Sequence, residues 1–197
     1  MKKYILIAGA NGAGKSVLYE VLQSLRDMPR VNSDEILKEI GDWRNPDDVM
    51  KAGKIAVGRI SRLFDKDASF NQETTLCGRS IIKNIKKAKS KGYFIELHYV
   101  GVECVEIAKE RVLKRVEKGG HGVPERDIEK RYEETFKGLK AVLPICDLAV
   151  FYDNSGDIKF RRFALYKNGC PQWVSDDVPQ WYNARVMRQS LEAGLRS

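Results

Sequence analysis

The sequence predicts an α/β fold in three layers, with a mainly parallel sheet between helices. Short apolar runs alternate with longer amphipathic segments along most of the chain, the pattern of strand–helix units whose crossovers build parallel sheets. The first run, Tyr4 to Ala8, is continuously apolar, as in a strand buried on both faces. It passes straight into a glycine-rich loop, Gly9 to Ser16, and the loop opens a helix.

Each element follows from its pattern. Ser16 to Arg26 reads as the first helix, with Val17, Val21 and Leu25 on one face. Pro29 to Asn32 reads as a short second strand, ending at Ser33-Asp34 before a helix over Glu35 to Ile40. Asp42 to Pro46 is a loop, and Ala52, Ile55, Ala56, Ile60, Leu63 and Phe64 recur at helical spacing. Ser69 to Thr74 is the third strand. Ser80 to Lys91 is a helix burying Ile81, Ile82, Ile85 and Ala88, with lysines turned outward. Tyr93 to Val100 is a strong strand. A long helix, Val105 to Glu117, stops at Gly119-Gly120. His121 to Pro124 is a loop, and Pro124 suits a first helical turn. Ile128, Tyr132, Phe136, Leu139 and Leu143 mark the next helix, and Cys146 to Tyr152 the fifth strand. Lys159 to Tyr166 alternates like an edge strand, Lys167-Asn168-Gly169 looks like a turn, and Val178 to Leu195 reads as a helix. The expected organisation is one domain over residues 1–197, with a lid near 109–131 and a C-terminal extension over 156–197.

Composition narrows the class. Hydrophobic residues make up 43% of the 197, too many for a disordered chain. No run of about eighteen apolar residues occurs, so no transmembrane helix is expected. Lys2 and Lys3 before an apolar stretch resemble the start of a signal peptide. Here, however, the stretch runs into the loop without a cleavage site, so a buried strand is the better reading. Cys77, Cys104, Cys146 and Cys170 lie far apart with no zinc spacing, which fits free thiols in a reducing cytoplasm. The formal net charge of +8 suits anionic partners and does not by itself separate nucleic acid from a small anionic substrate.

Gly9-Ala10-Asn11-Gly12-Ala13-Gly14-Lys15-Ser16 matches Gly-x-x-x-x-Gly-Lys-Ser between a strand and a helix, the pattern of a phosphate-binding P-loop. The glycines let backbone amides wrap the phosphates, and the helix N-terminus adds partial positive charge. Lys15 is expected to reach the β- and γ-phosphates and Ser16 to hold Mg²⁺, with Val17 completing the nucleotide-contacting stretch. A P-loop specifies nucleotide but not reaction. The short chain lacks a guanine-reading Asn-Lys-x-Asp and fits a small kinase better than a switch or motor, so the expected fold is a P-loop kinase with a helical lid.

A kinase needs a group to orient or deprotonate the attacking hydroxyl. Asp34, after the second strand, is the first candidate and would also serve as a helix N-cap. Glu73, in Phe70-Asn71-Gln72-Glu73-Thr74-Thr75, is the second, and would otherwise be a polar strand end. Glu96 and His98 share one face of an apolar strand and read better as a structural hydrogen-bonded pair. Arg111, Lys114, Arg115 and Lys118 share a helix face, followed by Arg126, Lys130 and Arg131. They form either a solvated basic surface or a lid that closes arginines over the transferring phosphoryl group.

The sequence resembles the zeta toxin family of P-loop kinases, especially its short stand-alone members. The resemblance rests on the loop at 9–16, Asn32-Ser33-Asp34-Glu35-Ile36, Glu73-Thr74-Thr75-Leu76-Cys77-Gly78-Arg79, Gly119-Gly120-His121-Gly122-Val123-Pro124-Glu125 and Tyr152-Asp153-Asn154-Ser155, and covers roughly residues 1–155. It implies ATP or GTP with Mg²⁺, and an acceptor such as the sugar nucleotide UDP-N-acetylglucosamine. It also implies Asp34 as the catalytic base, Glu73 and Thr75 in the acceptor pocket with Arg79 as a further contact, and Arg115 as a lid arginine, with Arg126 and Arg131 competing for a second. A protein antitoxin is a candidate partner. Two positions depart from the family pattern: Cys77 where Ser is expected, and Gly122 where Asp is expected. Two rivals stand beside the kinase: a nucleotide-binding regulator without an acceptor, and a polynucleotide 5′-hydroxyl kinase. The second is disfavoured because the basic stretches lack interleaved aromatics for stacking bases.

Overall fold

The computed structural model of the chain describes residues 1–156 and 158–187. Its sheet has seven strands in the order β2-β3-β1-β4-β5-β6-β7. The strands are β1 Lys3–Ala8, β2 Arg30–Val31, β3 Phe70–Thr74, β4 Phe94–Gly101, β5 Leu148–Asp153, β6 Arg161–Lys167 and β7 Cys170–Val174. The first five strands pair in parallel, whereas β6 and β7 add antiparallel beyond β5. The helices are α1 Lys15–Val21, α2 Ser33–Ile40, α3 Pro46–Asp65, α4 Arg79–Ser90, α5 Val105–Glu117, α6 Glu125–Val142 and α7 Gln180–Tyr182. This is the mainly parallel α/β architecture that the strand–helix alternation calls for.

Register places the site. Ala8 at the end of β1 lies between Thr74 of β3 and Tyr99 of β4. The loops leaving β1, β3 and β4 therefore emerge side by side at the carboxyl edge of the sheet, where open α/β folds bind ligands. β1 can occupy the centre because Tyr4 to Ala8 are all buried.

The core is aromatic at both ends. Tyr4, Phe64, Phe70 and Tyr93 pack together on one side. Tyr99, Phe136, Phe151, Phe163, Trp181 and Tyr182 form the other group. The C-terminal segment thus supplies core: Trp181 packs against Gly101, where a Cβ would lie 2.2 Å from the indole, and donates Nε1–H to Asp153 Oδ1 at 3.0 Å. The Glu96–His98 pair is structural, as expected: His98 Nε2 meets Glu96 Oε1 at 2.9 Å and Nδ1 meets the Tyr152 hydroxyl at 3.1 Å.

The structure corrects four local expectations. The first helix ends at Val21 and resumes as a 3₁₀ turn over Gln23–Leu25. That change of winding breaks the Val17-Val21-Leu25 stripe: Val17 and Val21 are 54% and 60% exposed, and Leu18 with Leu25 faces the core. The strand after residue 160 is not at the edge, because β7 lies outside it. Asn168 and Gly169 have φ of 49° and 74°, the left-handed pair that a two-residue hairpin turn requires. Pro124 stands at the N-cap position of α6 rather than within its first turn. Of the helix expected over Val178–Leu195, the described part is α7 and a π-helical turn over Asn183–Met187, and the remainder lies outside the described residues.

Candidate active site

The site grows from the loop after β1. Gly12 has φ of 77°, and a Cβ there would lie 2.3 Å from the Ala108 carbonyl oxygen of α5, so only glycine fits. On the other side Asn154, just beyond β5, donates Nδ2–H to the Ala13 carbonyl at 2.8 Å. Lys15 opens α1 and is 8% exposed, with Nζ donating to the Ala10 carbonyl at 2.9 Å. Burial lowers the Lys15 ammonium from its ordinary value, while the charges of Glu73 and Asp34 work in the opposite direction.

Ser16 follows, and its Oγ donates to the Glu73 carboxylate, 3.0 Å from Oε1 and 3.1 Å from Oε2. Glu73 is buried at the end of β3 and also accepts from Arg30 Nη2 at 2.7 Å and Asn32 Nδ2 at 3.0 Å. The buried carboxylate thus has a donor from each of three side chains. Arg30 is itself held by Glu35 at 2.8 Å and lies 3.7 Å from the centroid of the Tyr19 ring.

Asp34 is not the N-cap of α2. That position belongs to Asn32, whose side chain accepts from the Asp34 amide at 2.9 Å. The Asp34 carboxylate is therefore free of capping duty, and its Oδ2 meets His121 Nε2 at 2.9 Å. Burial alone would raise the Asp34 carboxyl, but the His121 hydrogen bond and charge, with Lys15 and Arg115, outweigh it and hold the group at about 2. Asn32→Ala should cost about 2 kcal/mol or more of stability, because it removes both the cap and the bond to the buried Glu73 carboxylate. Chemical denaturation of the variant beside wild type measures it, and an unchanged midpoint would mean that α2 does not depend on Asn32.

The segment 109–131 comprises most of α5, a glycine-rich loop and the first turns of α6. Lys109 ties the helices together, contacting Glu125 at 2.8 Å and also pairing with Glu129. Arg111 and Arg115 face the phosphate loop across a cavity of about 330 Å³ that also includes Lys15, Ser16, Asp34 and Glu73. Arg115 Nε and Nη2 and Arg111 Nη1 are buried without hydrogen-bond partners among the described residues. Burial lowers Arg115 from its ordinary value against the pull of Asp34 and Glu73, but a guanidinium keeps its charge in proteins. A second cavity of about 270 Å³ shares Asn11, Lys15, Asp34 and Glu73 with the first and adds Thr75, Cys77 and Arg131. Arg131 reaches Asn11 Oδ1 at 3.4 Å.

Most of the residues singled out in the sequence converge on these two cavities. Gly9, Ala10 and Ala13 shape the loop from behind, with Ala10 and Ala13 accepting the bonds from Lys15 and Asn154. Asn11, Gly12, Gly14, Lys15, Ser16 and Val17 line the first cavity. Thr75 lines the second. Arg126 and Arg79 are exposed and line neither. Sequence reasoning left Arg111 within a basic face, gave Asn154 and His121 no role inside their motifs, and placed Lys159 and Phe160 in a strand, although both line the first cavity. Arg30 carried no signal at all, since only the fold brings it to Glu73.

Comparison with known proteins gives a consistent result. The family model described as zeta toxin matches residues 1–160. An uncharacterized protein of Haemophilus influenzae is 35% identical over 130 residues, which is 66% of this chain and 92% of that protein. The structure of the PezAT chromosomal toxin–antitoxin system of Streptococcus pneumoniae matches 100% of this chain and 88% of its own, with a TM-score of 0.63 and 17% identity. A crystal structure of AvrRxo1-ORF1:-ORF2 with ATP matches 96% of this chain at a TM-score of 0.59 and 16% identity, and this chain spans 63% of that one. At such identities the two structural likenesses concern the fold.

Proposed function

The chain belongs to the zeta toxin family, and from that premise we propose that it is an ATP-dependent kinase that transfers the γ-phosphoryl group to a hydroxyl of a small-molecule acceptor, for which a sugar nucleotide such as UDP-N-acetylglucosamine is the first candidate. The observation that carries this reading is the overlap of the two cavities at Asn11, Lys15, Asp34 and Glu73. A phosphate cradle and a polar second chamber meet at a carboxylate, which is what in-line transfer between two bound molecules needs.

The roles follow from position. The loop amides and Lys15 hold the phosphates. Asp34 accepts the hydrogen of the attacking hydroxyl, and its low pKa keeps it a carboxylate at neutral pH. Arg115 and Arg111 carry donors with no partner among the described residues, suited to the oxygens of a phosphoryl group in flight. Arg131, rather than Arg126, is the second arginine of the lid, because it lines the acceptor cavity. Thr75 and Cys77, which line the second cavity, contact the acceptor, and the exposed Arg79 just beyond them is a further candidate contact. The Ser16 hydroxyl and the Glu73 carboxylate, 3.0 Å apart, form a hard-oxygen pair of the kind Mg²⁺ takes alongside phosphates and water. The ion would neutralise phosphate charge there.

Incubation of the protein with γ-labelled ATP, Mg²⁺ and a panel of sugar nucleotides and small metabolites tests the proposal. A labelled acceptor is expected. ATP binding with no labelled acceptor across the panel would favour the regulator. Arg115→Ala is expected to lower kcat about 10²-fold, the lower range for one lost electrostatic donor, because Arg111 shares its cavity. The KM for ATP should change far less. An equal loss in ATP affinity would mean that Arg115 acts only in ground-state binding.

A further inference from the structure

The proposed base is gripped by a residue from the lid. His121 lies in the loop that joins α5 to α6, and its Nε2 is 2.9 Å from Asp34 Oδ2. The imidazole is 10% exposed, and Nδ1 is buried without a partner among the described residues. The neighbouring residues fix the loop from two sides. Gly120 donates its amide to the Arg115 carbonyl at 2.9 Å. Gly122 lies against Trp43 from the connection between α2 and α3, and a Cβ there would sit 2.5 Å from the indole. The glycine that replaces the family's Asp is therefore the residue that lets the loop seat on Trp43.

We propose that His121 is a positioning residue that aligns Asp34 for catalysis. A carboxylate can turn about its Cβ–Cγ bond. A hydrogen donated by His121 Nε2 to Oδ2 fixes the carboxylate plane and leaves Oδ1 to accept from the acceptor hydroxyl. In the transfer step the hydroxyl oxygen bonds to the γ-phosphorus as the bond to the β-bridging oxygen breaks. The hydroxyl proton passes to Asp34 Oδ1, ADP leaves, and His121 keeps its Nε2 hydrogen throughout. The Gly120 amide bonds the Arg115 carbonyl one residue before His121, so the imidazole and the arginine leave the same turn at the end of α5.

The inference rests on the kinase reading, and its test separates the two. The charges that act on Asp34 are His121 from the lid loop, Lys15 from α1 and Arg115 from α5, and Glu73 of β3, Arg111 of α5 and Arg131 of α6 line the cavities it shares. Wild type, His121→Ala and His121→Gln are compared for kcat, for KM and for the pH dependence of kcat. His121→Ala should lose roughly 10- to 10²-fold in kcat, the scale of a misplaced catalytic group. It should keep the KM for ATP, and the acid limb of its kcat profile should move up, because Asp34 loses a bond that holds its carboxyl down. His121→Gln restores an N–H donor at similar reach without a titrating ring and should recover most of kcat. Carbon NMR titration of the Asp34 carboxyl needs no acceptor and should rise from about 2 in His121→Ala. An unmoved Asp34 titration would overturn the proposal even if no acceptor were phosphorylated by wild type. So would an unchanged kcat in His121→Ala, a kcat loss with an unmoved acid limb, or a Gln variant no better than Ala. Failure of wild type on the whole panel would instead count against the kinase.

Discussion

Lys15→Ala is expected to reduce phosphoryl transfer by at least about 10³-fold, because it removes the cation held inside the phosphate loop at the point where charge is transferred. Lys15 is buried, and its stem fills space beneath the loop. The Ala variant therefore loses packing as well as charge. Lys15→Met keeps most of the stem and separates the two effects. Both variants should lose transfer, whereas only Ala should show a clear drop in melting temperature. Removing the ammonium also leaves Glu73 and Asp34 without the positive charge between them, so ATP affinity should fall too. Wild-type turnover in Lys15→Met would sink the assignment of the loop as the phosphate site.

Asp34→Asn should preserve the fold and ATP binding while lowering phosphorylation of the acceptor by about 10²- to 10⁴-fold, the usual contribution of a positioned general base. The α2 start survives because Asn32 caps it. In the variant the new amide oxygen can still accept from His121 Nε2, but the other terminal group is then a donor and cannot take a hydroxyl proton. A loose phosphoryl transition state delays proton transfer and pulls the loss toward the low end of that range. The variant also has a signature in acid. The Asp34 carboxyl stands at about 2 against an ordinary 3.8, so folding favours its charged form. Its contribution to stability is present above the ordinary value and is lost as pH falls through about 2. Acid unfolding of Asp34→Asn should therefore be flatter across that window. Undiminished acceptor phosphorylation would remove Asp34 from the chemistry and turn attention to Glu73.

The sequence by itself determined the strand, glycine-rich loop and helix that open the chain and the strand–helix alternation of a mainly parallel sheet from β1 to β5. These are local signals: a continuous apolar run, glycines at fixed offsets and helical periodicity lie in neighbouring residues and need no distant partner to be read. It also placed Asp34 and Glu73 as candidates, because each stands near the end of a recognisable strand, and Arg115 on a basic helix face from which the family resemblance singled it out. The turn at Asn168-Gly169 was legible, but the strand β7 beyond it was not, because it is too exposed to stand out by periodicity. Tertiary structure alone decided what these residues do to one another. Glu73 meets Ser16, Arg30 and Asn32 from other segments of the chain. His121 crosses 87 positions to reach Asp34, and Trp43 covers Gly122. Such pairings join residues far apart in the chain, and nothing in the local pattern of either partner records the other. Likewise, whether Arg126 or Arg131 lines the second cavity depends on how α6 is rotated against β4 and α5. That rotation is set by the burial of Ile128, Tyr132 and Phe136 in a core that exists only once the sheet has formed.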